Sequence, residues 1–402
     1  MINFIELTKK YGSPLYVYDT SKIINAYNKI YLNIPYKKLK VHYAMKANYN
    51  HSILKLLKDL GAGIDAVSPA EIVYALKCGF NKEQIIFTAN NLSSQDLKKA
   101  GELGVLFNIG STSELKRYAK LYPNTNICVR FNPDVVAGAH KKIQTGGNLT
   151  KFGILFDDLN EVLEIAKSAN LKIIGLHKHT GSGIKETEKY LEAVNNLLEI
   201  ATPENFPHLE FVDFGGGLYV PYHPDDKKID YKEFGQNILK NINAVNEKFG
   251  KELSLYFEPG KFLVAECGNL IVEVNTIKNN RGRFIIGTNS GFNHLMRPML
   301  YDAYHHILNL SNPNGELKRY DIAGNICETG DVFAQDRELP EIREGDFLLI
   351  ENAGAYCYSM GSIYNLRAMP TEIIVKDEKV ILSRKQLSEE ELCSQILSEC
   401  QV

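Results

Sequence analysis

Val41-His42-Tyr43-Ala44-Met45-Lys46-Ala47-Asn48 is an apolar run that stops on a single lysine. Its first residues read as a short buried strand, and Lys46 stands at the strand's mouth with no charged neighbour in sequence. A partly desolvated lysine has a lowered amine pKa and more of the neutral, nucleophilic form that Schiff-base chemistry uses. The plain alternative is a lysine that buries its stem and keeps its ammonium in water. What separates the two is whether further strands of the same kind also end in polar or glycine-rich groups.

They do, and they come in a rhythm. Apolar strand-like runs recur at Val41–Met45, Gly63–Val67, Ile85–Ala89, Val105–Ile109, Ile127–Phe131, Ile173–Leu176, Leu209–Phe214 and Leu253–Phe257, eight in all. Helical stretches lie between them. His51–Leu60 carries Ile53, Leu54, Leu56, Leu57 and Leu60 at helical spacing, with Gly61 to stop it. Ser68-Pro69-Ala70-Glu71 and Ser111-Thr112-Ser113-Glu114 each open a helix with a capping-box pattern. Eight strand–helix alternations argue a parallel (β/α)8 TIM barrel. A doubly wound open sheet is the alternative, because periodicity does not reveal whether a sheet closes.

After Gly260 the rhythm changes. Strand-like runs at Asn269–Ile277, Phe284–Gly287, Tyr320–Ile322, Phe347–Glu351 and Thr371–Val375 follow one another without long helices, and Lys376-Asp377-Glu378-Lys379 reads as a turn into Val380–Leu382. This is a C-terminal β-rich domain, a sandwich or barrel. Before the barrel, Leu15–Asp19 reads as a strand and Ser21–Tyr31 as a helix. Ser388–Val402 reads as a short helix or tail.

Composition narrows the function. Of 402 residues, 44% are hydrophobic and 23% charged, as in ordinary globular chains. A net charge of -2 supplies no field toward nucleic acid or an anionic membrane, and no apolar run is long enough to span a bilayer. The first residues, with Glu6 among them, lack a signal-peptide pattern. Seven cysteines without paired spacing fit reduced thiols in a cytoplasm, and the lack of any CxxC argues against structural zinc, so no metal is expected.

In a barrel of this type, chemistry gathers at the C-terminal ends of the strands. Here those ends carry His177-Lys178-His179-Thr180-Gly181-Ser182-Gly183, Asp213-Phe214-Gly215-Gly216-Gly217 and Glu258-Pro259-Gly260-Lys261. Glycines let backbone N–H groups approach a phosphate, and Ser182 adds a hydroxyl. Each feature alone has a plainer reading: a tight turn for the glycines, a packed core residue for His179. Joined to a strand-end lysine, they form the parts of a pyridoxal phosphate site.

The chain resembles the alanine-racemase-fold, pyridoxal phosphate-dependent decarboxylases, and among them the diaminopimelate decarboxylase group. The motifs run in family order from Tyr43-Ala44-Met45-Lys46-Ala47-Asn48 through Thr145-Gly146, Lys151-Phe152-Gly153, His179-Thr180-Gly181-Ser182 and Glu258-Pro259-Gly260 to Ala353-Gly354-Ala355-Tyr356. Arg297-Pro298-Met299-Leu300-Tyr301 and Cys327-Glu328-Thr329-Gly330-Asp331 resemble the elements specific to diaminopimelate. The resemblance implies a barrel over 22–262 and a β-rich domain over 263–402, to which segment 1–21 is joined.

It also implies roles. Lys46 would hold pyridoxal 5'-phosphate covalently, Glu258 would keep the ring nitrogen protonated, and His179 would stack on the ring. Ser182, Gly215, Gly216, Gly217, Pro259, Gly260, Lys261 and Tyr356 would complete the cofactor site. Lys261, Arg297, Tyr301, Glu328 and Tyr356 would hold the substrate, meso-2,6-diaminopimelate, on its way to L-lysine. Cys327 would donate a proton from across a homodimer interface. The chain departs from the family at Lys261, usually arginine, at Asn289-Ser290-Gly291, usually Asp-Ala-Gly, and at Asn325, usually proline. The competing readings are decarboxylation of ornithine, arginine or carboxynorspermidine, racemisation of alanine, and a non-catalytic binding protein on the same fold.

Overall fold

Short apolar runs bounded by caps and glycines become strands buried on both faces. In chain order these are β1 (Leu15–Asp19), β2 (Leu39–Ala44), β3 (Gly63–Ala66), β4 (Ile85–Phe87), β5 (Leu106–Ile109), β6 (Asn126–Phe131), β7 (Lys172–Lys178), β8 (Phe211–Asp213) and β9 (Ser254–Phe257). The computed structural model describes residues 2–138, 140, 142, 144–147, 150–227 and 229–400. β2 to β9 pair in sequence order as a closed parallel barrel. The closing pair is β2 with β9, in register Leu39↔Leu255, Lys40↔Tyr256 and Val41↔Phe257. Closure rules out the open doubly wound sheet and brings the first and last strand ends side by side.

The helices behave as their caps dictate. Ser68 accepts the Glu71 N–H with Pro69 in the first turn, and Ser111 accepts the Glu114 N–H. Each capping box is only half made: Glu71 turns back to the Val67 N–H at 2.7 Å, one residue before the cap. The helix His51–Asp59 buries Ile53, Leu54 and Leu57 completely. Such burial stabilises by about 1.5–3 kcal/mol per side chain.

The second sheet holds β10 (Gly268–Asn280), β11 (Arg283–Thr288), β12 (Ile307–Asn309), β13 (Leu317–Ala323), β14 (Val332–Pro340), β15 (Phe347–Ile350), β16 (Thr371–Lys376) and β17 (Lys379–Arg384). Its order is β14-β13-β11-β10-β1-β16-β17, with β15 joining β10 to β12. β1 lies in this sheet, antiparallel to β10 and parallel to β16. The turn read at 376–379 is the β16–β17 hairpin, with Asp377 and Glu378 at positive φ. A helix Phe4–Tyr11 precedes β1, and Glu389–Glu399 closes the described chain as a helix with a complete capping box; the last two residues of the expected tail lie outside the described ones. Among the described residues no helix is long and apolar enough to cross a membrane.

The two parts meet at the lysine-bearing turn. After β15 the chain folds onto Met45–Ala47, where the Tyr356 N–H and the Ser359 hydroxyl both donate to the Ala47 carbonyl, at 2.8 and 2.9 Å. Asn48 Nδ2 donates to the Gly354 carbonyl at 3.0 Å. A Cβ on Gly354 would lie 1.7 Å from the Val264 carbonyl oxygen, so only glycine permits this approach.

Candidate active site

β2 ends in a 3-10 turn, Met45–Ala47, that aims Lys46 into the mouth of the barrel. Lys46 has a charged neighbour after all: Asp65, from the end of β3, lies 2.6 Å from Nζ. This corrects the expectation of a lowered lysine pKa. Burial does pull the ammonium down, but Asp65, then Tyr356 and Glu258, oppose it and hold it above its ordinary value. Burial and Glu258 in turn push Asp65 up to about 7, against the pull of Lys46.

Glu258 follows β9, across the barrel closure from Lys46. His177, fully buried on β7, lies 2.8 Å away from Glu258 Oε2 through Nε2. Burial keeps His177 neutral, so its Nε2–H donates to the carboxylate. Burial would raise the Glu258 carboxyl, but His177, Lys46 and His179 more than offset that and hold it ionised. Its other oxygen, Oε1, has no partner among the described residues. Asp213 is buried beside this pair, with Oδ1 accepting the Gly215 N–H at 2.8 Å; burial and Glu258 drive its carboxyl well up.

The glycine triplet divides its labour. The Gly215 N–H is taken by Asp213 and the Gly215 carbonyl by the Glu258 N–H, so Gly215 stands behind the cavity wall and does not line it. The Gly216 N–H donates to His179 Nδ1 at 3.0 Å, which makes that nitrogen an acceptor and fixes the ring. Gly217, at φ +100, lines the cavity with Ser182, and its N–H is bound to no other described group. Of the expected cofactor residues, Lys46, His179, Ser182, Gly216, Gly217, Glu258, Pro259, Gly260, Lys261 and Tyr356 line one cavity of about 280 Å³.

That cavity opens onto a second, of about 440 Å³, which shares Lys46, His179, Ser182, Lys261 and Tyr356 and adds Arg297, Tyr301 and Tyr222. Arg297 is 6% exposed and Lys261 8%, and neither has a carboxylate within ion-pair distance among the described residues. Burial, then the adjacent Arg297, push the Lys261 ammonium down to about 7. Cys327 and Glu328 line neither cavity. They sit exposed on a loop held by Asp331, whose carboxylate accepts the Ile326 and Phe292 N–H groups, and the Cys327 thiol meets Asn365.

Three ionisable wall residues stand outside the expected set: Asp65, Arg130 and His177. Each is an ionisable residue in the second half of a barrel strand, next to the end where the site forms, and that position is the signal they carry. His177 lies two residues before His179, and both line the cavity. Arg130 on β6 is buried over the Phe152 ring, with Nη2 unpartnered.

Residues 20–265 match the family described as pyridoxal-dependent decarboxylase, pyridoxal binding domain. The chain is 41% identical over 390 residues to the diaminopimelate decarboxylase of Methanothermobacter thermautotrophicus, covering 95% of this chain and 91% of that protein. It superposes on a crystal structure of diaminopimelate decarboxylase from Helicobacter pylori complexed with L-lysine with a TM-score of 0.91 and 33% identity, over 99% of this chain and 100% of that one. The M. jannaschii enzyme of the same name, in co-complex with L-lysine, gives 0.89 and 32%, over 98% and 94%.

Proposed function

This chain belongs to the pyridoxal-dependent decarboxylases, among the diaminopimelate decarboxylases, and from that premise we propose that it converts meso-2,6-diaminopimelate to L-lysine, the last step of lysine biosynthesis. One observation carries the choice of substrate. Arg297 is a buried cation and Lys261 beside it a buried amine charged below about 7, in a cavity that begins at Lys46; among the described residues neither has a carboxylate partner. A substrate with a second carboxylate supplies the missing anion; ornithine does not, and would leave Arg297 unpaired at a cost.

The residues fit pyridoxal 5'-phosphate. Glu258 offers a buried carboxylate oxygen without a partner among the described residues, Gly217 an open N–H at a position where a Cβ would meet the Gly181 carbonyl at 2.7 Å, and Lys46 an amine on the wall of the same cavity. When bound, the cofactor supplies an electron sink for the pair left behind by carbon dioxide. Lys46 holds it covalently, Glu258 keeps a proton on its ring nitrogen, and His179 packs on the ring. Ser182, the Gly217 N–H and Tyr356 take the phosphate. Arg297 forks onto the distal carboxylate, with Lys261 and the Tyr301 hydroxyl beside it.

The distal ammonium falls to Glu328, and the proton that replaces carbon dioxide comes from Cys327, both reaching in from a second copy of the chain. Support for this homodimer lies on the surface. Cys327 and Glu328 are exposed and away from the cavities of their own chain, and Met299, Ile363, Tyr364 and Leu366 around them leave apolar side chains in solvent. We divide the chain into a barrel over 22–262 and a β-rich domain over 263–402 that takes in the N-terminal strand. Seven unpaired cysteines suit a reducing compartment, and we place the enzyme in the cytoplasm.

Carbon dioxide release from meso-diaminopimelate should exceed that from ornithine, arginine and carboxynorspermidine by orders of magnitude. Efficient turnover of ornithine with diaminopimelate untouched would move the chain to the polyamine branch. A visible cofactor band that borohydride fails to bleach would instead favour a non-covalent binding protein.

A further inference from the structure

Among the described residues, no carboxylate lies within ion-pair distance of Arg297. Its Nη1 donates to His305 Nε2 at 2.9 Å, and its guanidinium lies 4.3 Å over the Tyr222 ring. Burial pushes the neighbouring Cys357 thiol up to about 11, so it too is neutral. His305 is 1% exposed and held on every side. Its Nδ1 lies 2.8 Å from the Glu351 carbonyl, its own carbonyl accepts from Arg337, and Tyr222 meets its ring edge-on. A carbonyl only accepts, so the hydrogen of His305 is on Nδ1 and Nε2 presents a lone pair to Arg297. Glu351 follows β15, whose pairing with β12 holds this segment in register.

We propose that His305 is the positioning residue of the distal-carboxylate site: an imidazole fixed by the Glu351 carbonyl, it aims Arg297 without neutralising it. The inference rests on the reading of Arg297 as the distal-carboxylate ligand. A carboxylate at this position would orient a guanidinium equally well, but it would pair with the charge and compete with the substrate. A neutral acceptor takes one N–H and leaves the charge and the remaining donors facing the cavity. Burial, with Arg297, Lys261 and Arg337 close by, drives the imidazole down to about 3, so it stays neutral wherever the enzyme works.

The test compares His305→Gln with His305→Glu in the holoenzyme. The two side chains match in shape, both place an acceptor near Nε2, and they differ in charge. The probes are L-lysine, which keeps the distal carboxylate, and cadaverine, which has the same chain and none, each as a competitive inhibitor. His305→Glu should weaken lysine about 10-fold or more, the scale of a hydrogen bond to a charged group, and leave cadaverine no weaker. His305→Gln should bind lysine within about 3-fold of the parent on the same scale. If His305→Glu does not fold, judged by melting and by the cofactor band, His305→Phe removes the acceptor without adding charge and should weaken lysine selectively. Equal loss of lysine and cadaverine, or lysine binding unchanged in His305→Glu, overturns the proposal. Arg297→Ala separates the two readings: unchanged lysine affinity there sinks the assignment of Arg297 itself, whereas a loss there with none in His305→Glu sinks only the role of His305.

Discussion

Lys46 and Asp65 share the entrance to the cavity, and their 2.6 Å contact sets when the amine is available. Capture of an aldehyde needs the neutral amine, and Asp65 holds the amine protonated above the usual lysine range. Asp65→Asn removes the largest upward pull and leaves burial, which acts downward, against the weaker pulls of Tyr356 and Glu258. The pH midpoint for growth of the visible cofactor band should therefore move to lower pH in this variant, and an unmoved midpoint would show that Asp65 does not control the amine. Lys46→Ala should lose the band and all turnover. Lys261 titrates the other way. It is charged below about 7 and neutral above, so lysine inhibition should weaken as pH rises from 6 to 8, and Lys261→Arg should flatten that profile. Lys46, His179 and Glu258 were legible in sequence because each follows an apolar run at a strand end. The Lys46–Asp65 pair was not, because it joins two strands across a ladder, and nothing local states which neighbours a barrel will bring together.

At the scale of elements, the site depends on a seam between the barrel and the second sheet. Ala47, one residue after Lys46, receives two hydrogen bonds from the loop that carries Tyr356, and that loop reaches it only because Gly354 has no side chain. Gly354→Ala would set a Cβ against backbone on two sides, where no side chain can turn away. We expect a loss of more than about 3 kcal/mol in urea unfolding, toward the top of the range for single substitutions, together with loss of bound cofactor. Stability within 1 kcal/mol of the parent would mean that the seam opens freely. The eight barrel strands were readable to within a residue or two at most ends because apolar runs alternate with capped helices. β14 was not: its middle, Gln335-Asp336-Arg337-Glu338, is charged and mostly exposed, and its pairing with β13 is interrupted by register shifts. β12 is three residues long and is defined by its partner β15 more than by its own sequence. Closure of the barrel was likewise a property of the β2–β9 pairing and of no single stretch.

For the whole molecule, a shared site predicts complementation. Protein carrying Lys46→Ala mixed with protein carrying Cys327→Ala should regain part of the parent activity, since one of the two hybrid sites keeps both residues; verified hybrids without activity would place Cys327 elsewhere. The second sheet carries a different consequence, in the order of synthesis. β1 is made before the barrel, yet its partners are β10 and β16, so residues 15–19 have no partner strand until the chain has been made as far as residue 271, and they keep one edge open until residue 371. At 5–20 residues per second that wait is on the order of tens of seconds. Through it Leu15, Tyr16, Val17 and Tyr18, all fully buried in the finished fold, stand as an open β-edge on the nascent chain. A message cut short between β10 and residue 371 should therefore yield a protein whose barrel can close but whose β1, paired with β10 alone, leaves its other edge as a handle for chaperones or for another unfinished copy.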